Sequence, residues 1–387
     1  MRLTLIFLAF LAAQGGCFTT RPYDVSSTVN RKTELFATRR DVLIQSSGLV
    51  LASLLSGKPA VAAAPSTILV TGANSGVGLE ACKRLAQDGH DLILACRTME
   101  KATAAANQLK PLGGGGAILP AECDLASLKS IDGFVNKLPG LLGSGAKIDA
   151  VCLNAGLSRN TAAKDCARTA DGFELTVGTN HFGHFYLNHL VLPFVNPNGK
   201  IIVTASGVHD PESPGGAQGE PAGLGNLDGL ARQGKSCEMI DGSPFNADKA
   251  YKDSKLCNVL FTRELQRRLE MNAITKGITV NCFNPGLIVG TGLFRDQNPI
   301  FTKVFDFAAT DLFKVGETPD WGGGCLGYMT TVDTRGLFYS SAPGSSKYGD
   351  AAFGNQFQPF AISKEAQDDA KARLLWELSA RELGISA

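Results

Sequence analysis

The chain has 387 residues, with 37 Lys and Arg against 36 Asp and Glu, a formal net charge of +1. Its basic residues are scattered rather than clustered, so it carries no electrostatic footprint for nucleic acid. The length permits two domains. However, the first roughly sixty residues do not read as folded protein, and the remainder suits one large α/β domain with a sizeable core.

The N-terminus reads as a leader in three parts. Residues 1–16 carry Arg2, an apolar run over 3–13 and the small residues Gly15 and Gly16. This is a signal-peptide pattern, and the run is too short to cross a bilayer well. Phe18 then opens a stretch to Thr38 that is rich in Ser, Thr and Arg and poor in acids, which is transit-peptide composition. A signal peptide, a Phe and a transit peptide together resemble leaders that reach the complex plastids of algae. Arg39 and Arg40 precede an apolar stretch over 42–55 and the small residues 60–64, which resembles a twin-arginine thylakoid signal. The expected division is a leader over 1–62 and a folded domain over 63–387.

From Ser66 onward strands and helices alternate. Expected strands lie at 67–71, 91–96, 117–122, 148–153, 200–205 and 278–283. Expected helices lie at 80–88, 99–109, 128–138, 178–194 and 251–269. Short links between them argue for a single domain with a Rossmann-type, doubly wound parallel sheet and all strand C-termini on one edge. The ten cysteines (Cys17, Cys82, Cys96, Cys123, Cys152, Cys166, Cys237, Cys257, Cys282, Cys325) show neither a C-x-x-C pair nor metal-ligand spacing. They read as buried, reduced thiols of a reducing compartment, and no metal site is expected.

The first strand runs into Thr71-Gly72-Ala73-Asn74-Ser75-Gly76-Val77-Gly78. Between a strand and a helix, such glycines allow a tight turn and bring backbone N–H groups to a pyrophosphate at the helix N-terminus. The expected cofactor residues here are Gly72, Asn74, Ser75, Gly76, Val77 and Gly78. The second strand ends on Arg97, where an NAD site favours an acid; a cation instead suits a 2′-phosphate, so the cofactor is read as NADPH. Tyr251 and Lys255 stand at i and i+4, which puts both on one helical face. A phenol is a poor acid or base at neutral pH unless helped, and a neighbouring ammonium favours its phenolate. Ser206, at the end of the fifth strand, is placed to hold a substrate oxygen.

The T-G-x-x-x-G-x-G spacing and the Y-x-x-x-K pair resemble the short-chain dehydrogenase/reductase family. That resemblance implies further roles. Asp124 and Leu125 would contact adenine, and Asn154, Ala155 and Gly156 would flank the cofactor. Asn180 would anchor a water in a proton relay, and Lys255 would also hold the nicotinamide ribose. Stretches 171–185, 239–242, 249–258 and 291–295 together look like the light-dependent protochlorophyllide reductases, as does the long segment between Ser206 and Tyr251. The resemblance implies a tetrapyrrole substrate, protochlorophyllide, reduced in the light to chlorophyllide, with Tyr251 donating or organising the proton. Association with thylakoid membrane and a homo-oligomer are further expectations.

There are two departures, the first a region from Gly336 to Gln358 with an extra Gly/Ser-rich piece, the second a single motif. The family reads Tyr-Pro-Gly-Cys after the sixth strand, whereas this chain reads Asn284-Pro285-Gly286-Leu287. Leucine has no proton to give. A light-independent carbonyl reductase of the retinol-dehydrogenase type and a non-enzymatic NADPH or pigment binder therefore stay open. Phe294, Phe301, Phe305, Phe307 and Phe313 make 291–313 a candidate lid or membrane-contacting surface, with core packing as the alternative. His181 and His184 read as structural or pocket-lining.

Overall fold

In the computed structural model, residues 65–233, 237–288 and 316–386 are described. The leader and the Phe-rich stretch lie outside these residues, and with them Arg39, Arg40 and Phe294. The elements in chain order are β1 (Thr67–Thr71), α1 (Gly76–Gln87), β2 (Asp91–Cys96), α2 (Met99–Leu109), β3 (Ile118–Glu122), α3 (Leu128–Leu142) and β4 (Ile148–Leu153). A helical passage follows, ending in α4 (Gly183–Val191), and then β5 (Val195–Thr204), α5 (Asp228–Gln233), α6 (Ala247–Glu270) and β6 (Thr279–Phe283). The chain closes with α7 (Pro319–Met329), β7 (Phe338–Ser340), β8 (Gln358–Pro359) and α8 (Asp369–Leu383).

The sheet order is β3-β2-β1-β4-β5-β6-β7-β8, parallel throughout except for the β7–β8 pair. This is the expected doubly wound α/β sheet. Its strand order reverses between β1 and β4, where such sheets open a crevice at their carboxyl edge. Continuous apolar strands such as Ile68, Leu69 and Val70 are buried on both faces, as parallel strands must be. The two faces carry separate cores, one centred on α3, α4, α6 and α8 and the other on α1, α2 and α7. Among the described residues no helix is long and apolar enough to cross a membrane.

Three findings depart from the sequence reading. The expected helix over 178–194 begins earlier and is not uniform: Leu175–Val177 is α-helical, Gly178–Phe182 is π-helical, and α4 follows. Two close-packed glycines sit in this passage. A Cβ on Gly178 would lie 2.4 Å from Thr169 Cγ2, and one on Gly183 would lie 2.3 Å from Leu125 O. Secondly, α5, α7, β7, β8 and α8 were not anticipated. The last two strands have three and two residues, too short to show a period of two. Thirdly, Cys166 and Cys237 form a disulfide across 71 residues of sequence, which corrects the expectation of reduced thiols throughout. The remaining described cysteines are free and buried, as expected.

Candidate active site

The carboxyl edge of the sheet opens into one cleft of about 1450 Å³. The turn from β1 to α1 forms one end of it. Gly72 and Gly76 take φ of +67° and +54°, which a side chain rarely allows. Gly78 is required by crowding: its Cβ would stand 2.5 Å from Gly72 O and 2.6 Å from Asn154 Nδ2. Ser75 makes no side-chain cap to α1, so the first N–H groups of that helix are left for an anion.

Thr71 joins this turn to the end of β4. Its hydroxyl accepts from Asn154 N at 2.8 Å and Ala155 N at 3.0 Å, while Asn154 Nδ2 donates to Thr71 O at 3.0 Å. That hydroxyl also lies 3.0 Å from His184 Nε2 and 3.3 Å from Cys152 O, and His184 Nδ1 lies 3.1 Å from Asn180 O. Burial pushes the His184 pKa down to about 3, so the ring is neutral. Its Nδ1–H must donate to the Asn180 carbonyl, and Nε2 then accepts the Thr71 proton. His184 is thus a structural bridge behind the cleft rather than part of its wall.

Arg97 is exposed at the cleft end below β2 and lines it together with Lys101 from the first turn of α2. Lys101, four residues beyond Arg97 and across the N-cap Thr98, was not anticipated. Asp124 and Leu125 line the same end. The Asp124 carboxylate also accepts Ala126 N at 3.0 Å, which fixes the turn after β3.

The proposed catalytic residues converge at the other end. Asn246 caps α6 by accepting from Asp248 N and Lys249 N, each at 3.0 Å. This sets Tyr251 in the second turn, facing the cleft beside Ser206. Burial pushes the Tyr251 pKa up to about 12, while a hydrogen bond with the Ser206 hydroxyl draws it the other way. Lys255 Nζ lies 5.6 Å from the Tyr251 ring centroid and donates to Thr204 O at 3.1 Å. Burial lowers its pKa to about 8. A neighbouring ammonium was expected to pull the phenol down, but at this separation burial is the larger influence.

Asn180 is fully buried and does not line the cleft. Its amide spans the loop after β4 and α6. Oδ1 accepts Leu157 N at 2.9 Å, and Nδ2 donates to Leu157 O at 2.9 Å and to Ser254 Oγ at 3.0 Å. Ser254 in turn donates to Tyr251 O at 2.6 Å. Gly156 fits between Asn180 and Lys255, with a Cβ there 3.4 Å from Asn180 Oδ1 and 3.6 Å from Lys255 Nζ.

Two more buried lysines of α6 hold the long segment that follows β5. Lys252 Nζ donates to Gln218 O, to Glu220 O at 2.9 Å and to Asp248 Oδ2 at 2.9 Å. Lys249 Nζ reaches Asp253 Oδ2 at 2.9 Å and Asp241 Oδ2 at 3.2 Å. Burial raises the Asp253 pKa to about 7, against the pull of Lys249. Lys252 thus holds Gln218 and Glu220, at the end of the stretch 207–220 that walls the cleft, and Cys166–Cys237 ties a later part of the segment to the loop after β4.

The sequence comparisons agree with this geometry. The family model for short chain dehydrogenase matches residues 66–218. Protochlorophyllide reductase, chloroplastic, from Chlamydomonas reinhardtii is 36% identical over 327 residues, 83% of this chain and 78% of that protein. Protochlorophyllide reductase A, chloroplastic, from Oryza sativa subsp. japonica is 37% identical over 327 residues, 82% of this chain and 80% of that protein. The chain belongs to the protochlorophyllide reductase family. It is therefore a nicotinamide-dependent oxidoreductase of the short-chain dehydrogenase/reductase superfamily. A solved short chain dehydrogenase from Burkholderia cenocepacia in complex with NADP shares the fold, at 20% identity and a TM-score of 0.52, covering 72% of this chain and 96% of that one. Leu287, the residue set apart in the sequence reading, lines the cleft, and its carbonyl accepts Glu317 N at 2.7 Å.

Proposed function

We propose that this chain reduces protochlorophyllide to chlorophyllide with NADPH, driven by light, as a step of chlorophyll synthesis in a plastid. The observation that carries the reading is a cleft, lined by described residues, that joins the glycine turn to Tyr251 and Lys255. At about 1450 Å³ it exceeds the roughly 300–1,000 Å³ of an ordinary small-ligand site, so there is room for a dinucleotide and a large flat substrate together. The plastid follows from relatives named as chloroplastic and from the reading of residues 1–62. A thylakoid address rests on Arg39 and Arg40 within that leader.

The residues present fit the cofactor. The cradle at Gly72 and Gly78 admits no Cβ, and Arg97 and Lys101 at the far end suit a 2′-phosphate and so favour NADPH over NADH. When bound, NADPH supplies a hydride to one carbon of the pigment double bond. Tyr251 supplies the proton for the neighbouring carbon. A phenol held near 12 is protonated at neutral pH and so starts as a donor. Ser206 orients the hydroxyl, and the Lys255 ammonium, fixed on Thr204 O, stabilises the phenolate left behind. Asn180 acts through Leu157 and Ser254 to set the spacing of loop and helix.

Leu287 favours a second reading, dark reduction of a plastid carbonyl. One experiment separates the two. Purified protein with protochlorophyllide and NADPH is flashed and its absorbance followed, and NADPH oxidation with ketones is followed in the dark. A chlorophyllide band that needs both light and NADPH is expected. Dark turnover of ketones without that band would refute the first reading.

A further inference from the structure

Position 284 differs from the family pattern, and the structure gives its side chain a defined orientation. Asn284 leaves β6 at the cleft, and its N–H donates to Tyr339 O at 2.8 Å. Its Oδ1 accepts Gly286 N at 3.2 Å. That bond fixes which end of the amide is which, so Nδ2 is the group facing Ser340 Oγ at 3.1 Å. The Ser340 hydroxyl directs its own proton to Ser341 O at 3.5 Å, so it receives from Asn284 rather than donating. An amide nitrogen carries two hydrogens, and Ser340 takes one. Beside Nδ2, residue 207 is glycine, and a Cβ there would stand 3.3 Å from Nδ2. The second N–H is not taken by Ser340, and Asn284, Gly207 and Ser206 all line the cleft.

We infer that Asn284 is a specificity-determining residue that donates this N–H to a carbonyl oxygen of the substrate, over Gly207. The occupant rests on the function proposed above: a peripheral ketone of the macrocycle, or under the second reading the carbonyl of a small ketone. Gly207 supplies the space, and the Asn284–Gly286 bond holds the amide before substrate arrives, so little ordering accompanies binding.

The test pairs variants with ligands. Asn284→Asp keeps an oxygen for Gly286 N–H and removes the N–H donor. Asn284→Ala removes both, and thermal melting of each variant separates loss of the turn from loss of the donor. Dissociation constants for protochlorophyllide, and for its derivative with the ketone reduced to a methylene, are read by pigment fluorescence, together with flash yield. A neutral hydrogen bond predicts that wild type prefers the ketone by about 3–10-fold. Asn284→Asp, whose carboxylate can only accept, should lose or reverse that preference, with NADPH affinity unchanged. If wild type reduces the pigment and Asn284→Asp keeps the preference, this inference alone fails. If wild type reduces no pigment but turns over a small ketone in the dark, the function proposed above fails. The inference then stands on a raised KM for that ketone in Asn284→Asp and falls if KM is unchanged.

Discussion

In its proposed role Lys255 serves the chemistry at the expense of the fold, and the cost can be worked from the structure. Its pKa falls from 10.5 to about 8 through burial, a drop that corresponds to about 3 kcal/mol at about 1.4 kcal/mol per unit. Replacing it with Met keeps the length and removes the charge. The lost hydrogen bond to Thr204 O subtracts about 1 kcal/mol, leaving a net gain of about 2 kcal/mol. For a domain on the order of 300 residues, the unfolding entropy is about 0.6 kcal/mol/K, so Lys255→Met should melt about 3 °C higher at pH 7. The sign of the pH dependence follows from linkage. Below pH 8 the lysine is charged in both states and the full penalty applies. Between 8 and 10.5 the unfolded chain holds the proton that the folded chain has released, so wild type gains stability as pH rises. The advantage of the variant should therefore shrink toward pH 10. Scanning calorimetry of the cofactor-free protein at pH 7 and pH 10 measures both effects, and turnover should be abolished. A variant that melts no higher than wild type at pH 7, or keeps the same advantage at pH 10, would refute the reasoning.

Other outcomes follow from the same geometry. Gly78→Ala places a Cβ 2.5 Å from Gly72 O and should weaken NADPH binding by roughly tenfold or more, read by nicotinamide fluorescence; tight binding would show that the turn yields. Arg97→Asp should raise the KM for NADPH by about 10–100-fold, since a charge-assisted phosphate contact is lost, while NADH is tolerated; equal use of both cofactors by wild type would contradict the role. Replacing Cys166 and Cys237 together by Ser releases a loop of 71 residues and should cost about 2–4 kcal/mol of stability, seen as a lower denaturant midpoint that wild type shows only under reductant.

The parts legible in the sequence were those whose signal is local. The glycine turn, Arg97 and the Tyr251–Lys255 pair each sit within a few residues of one element, and the structure brings all of them to one cleft. Strands such as Asp91–Cys96 and Ile148–Leu153 carry continuous apolar runs and were bounded as expected. What was missed depends on distant parts of the chain. The Cys166–Cys237 bond spans 71 positions, and no spacing rule announces it. His184 gains its role only because Thr71, 113 residues away, lies against it. Asn180 reads as a cleft residue by family order, yet the π-helical turn at Gly178–Phe182 sets it behind the wall. Asn284 gave no signal beyond a departure from pattern; its meaning came from Gly207 and Ser340, on two other strand ends.

The most direct test of the central claim follows the hydrogen itself. Protein, protochlorophyllide and NADPH bearing deuterium at both C4 hydrogens are given one saturating flash, and the pigment is analysed by mass spectrometry. One deuterium per chlorophyllide is expected, with the second new hydrogen derived from solvent and the yield lost in Tyr251→Phe. Chlorophyllide without deuterium would contradict NADPH as the hydride donor, and an undiminished yield in Tyr251→Phe would contradict Tyr251 as the proton donor.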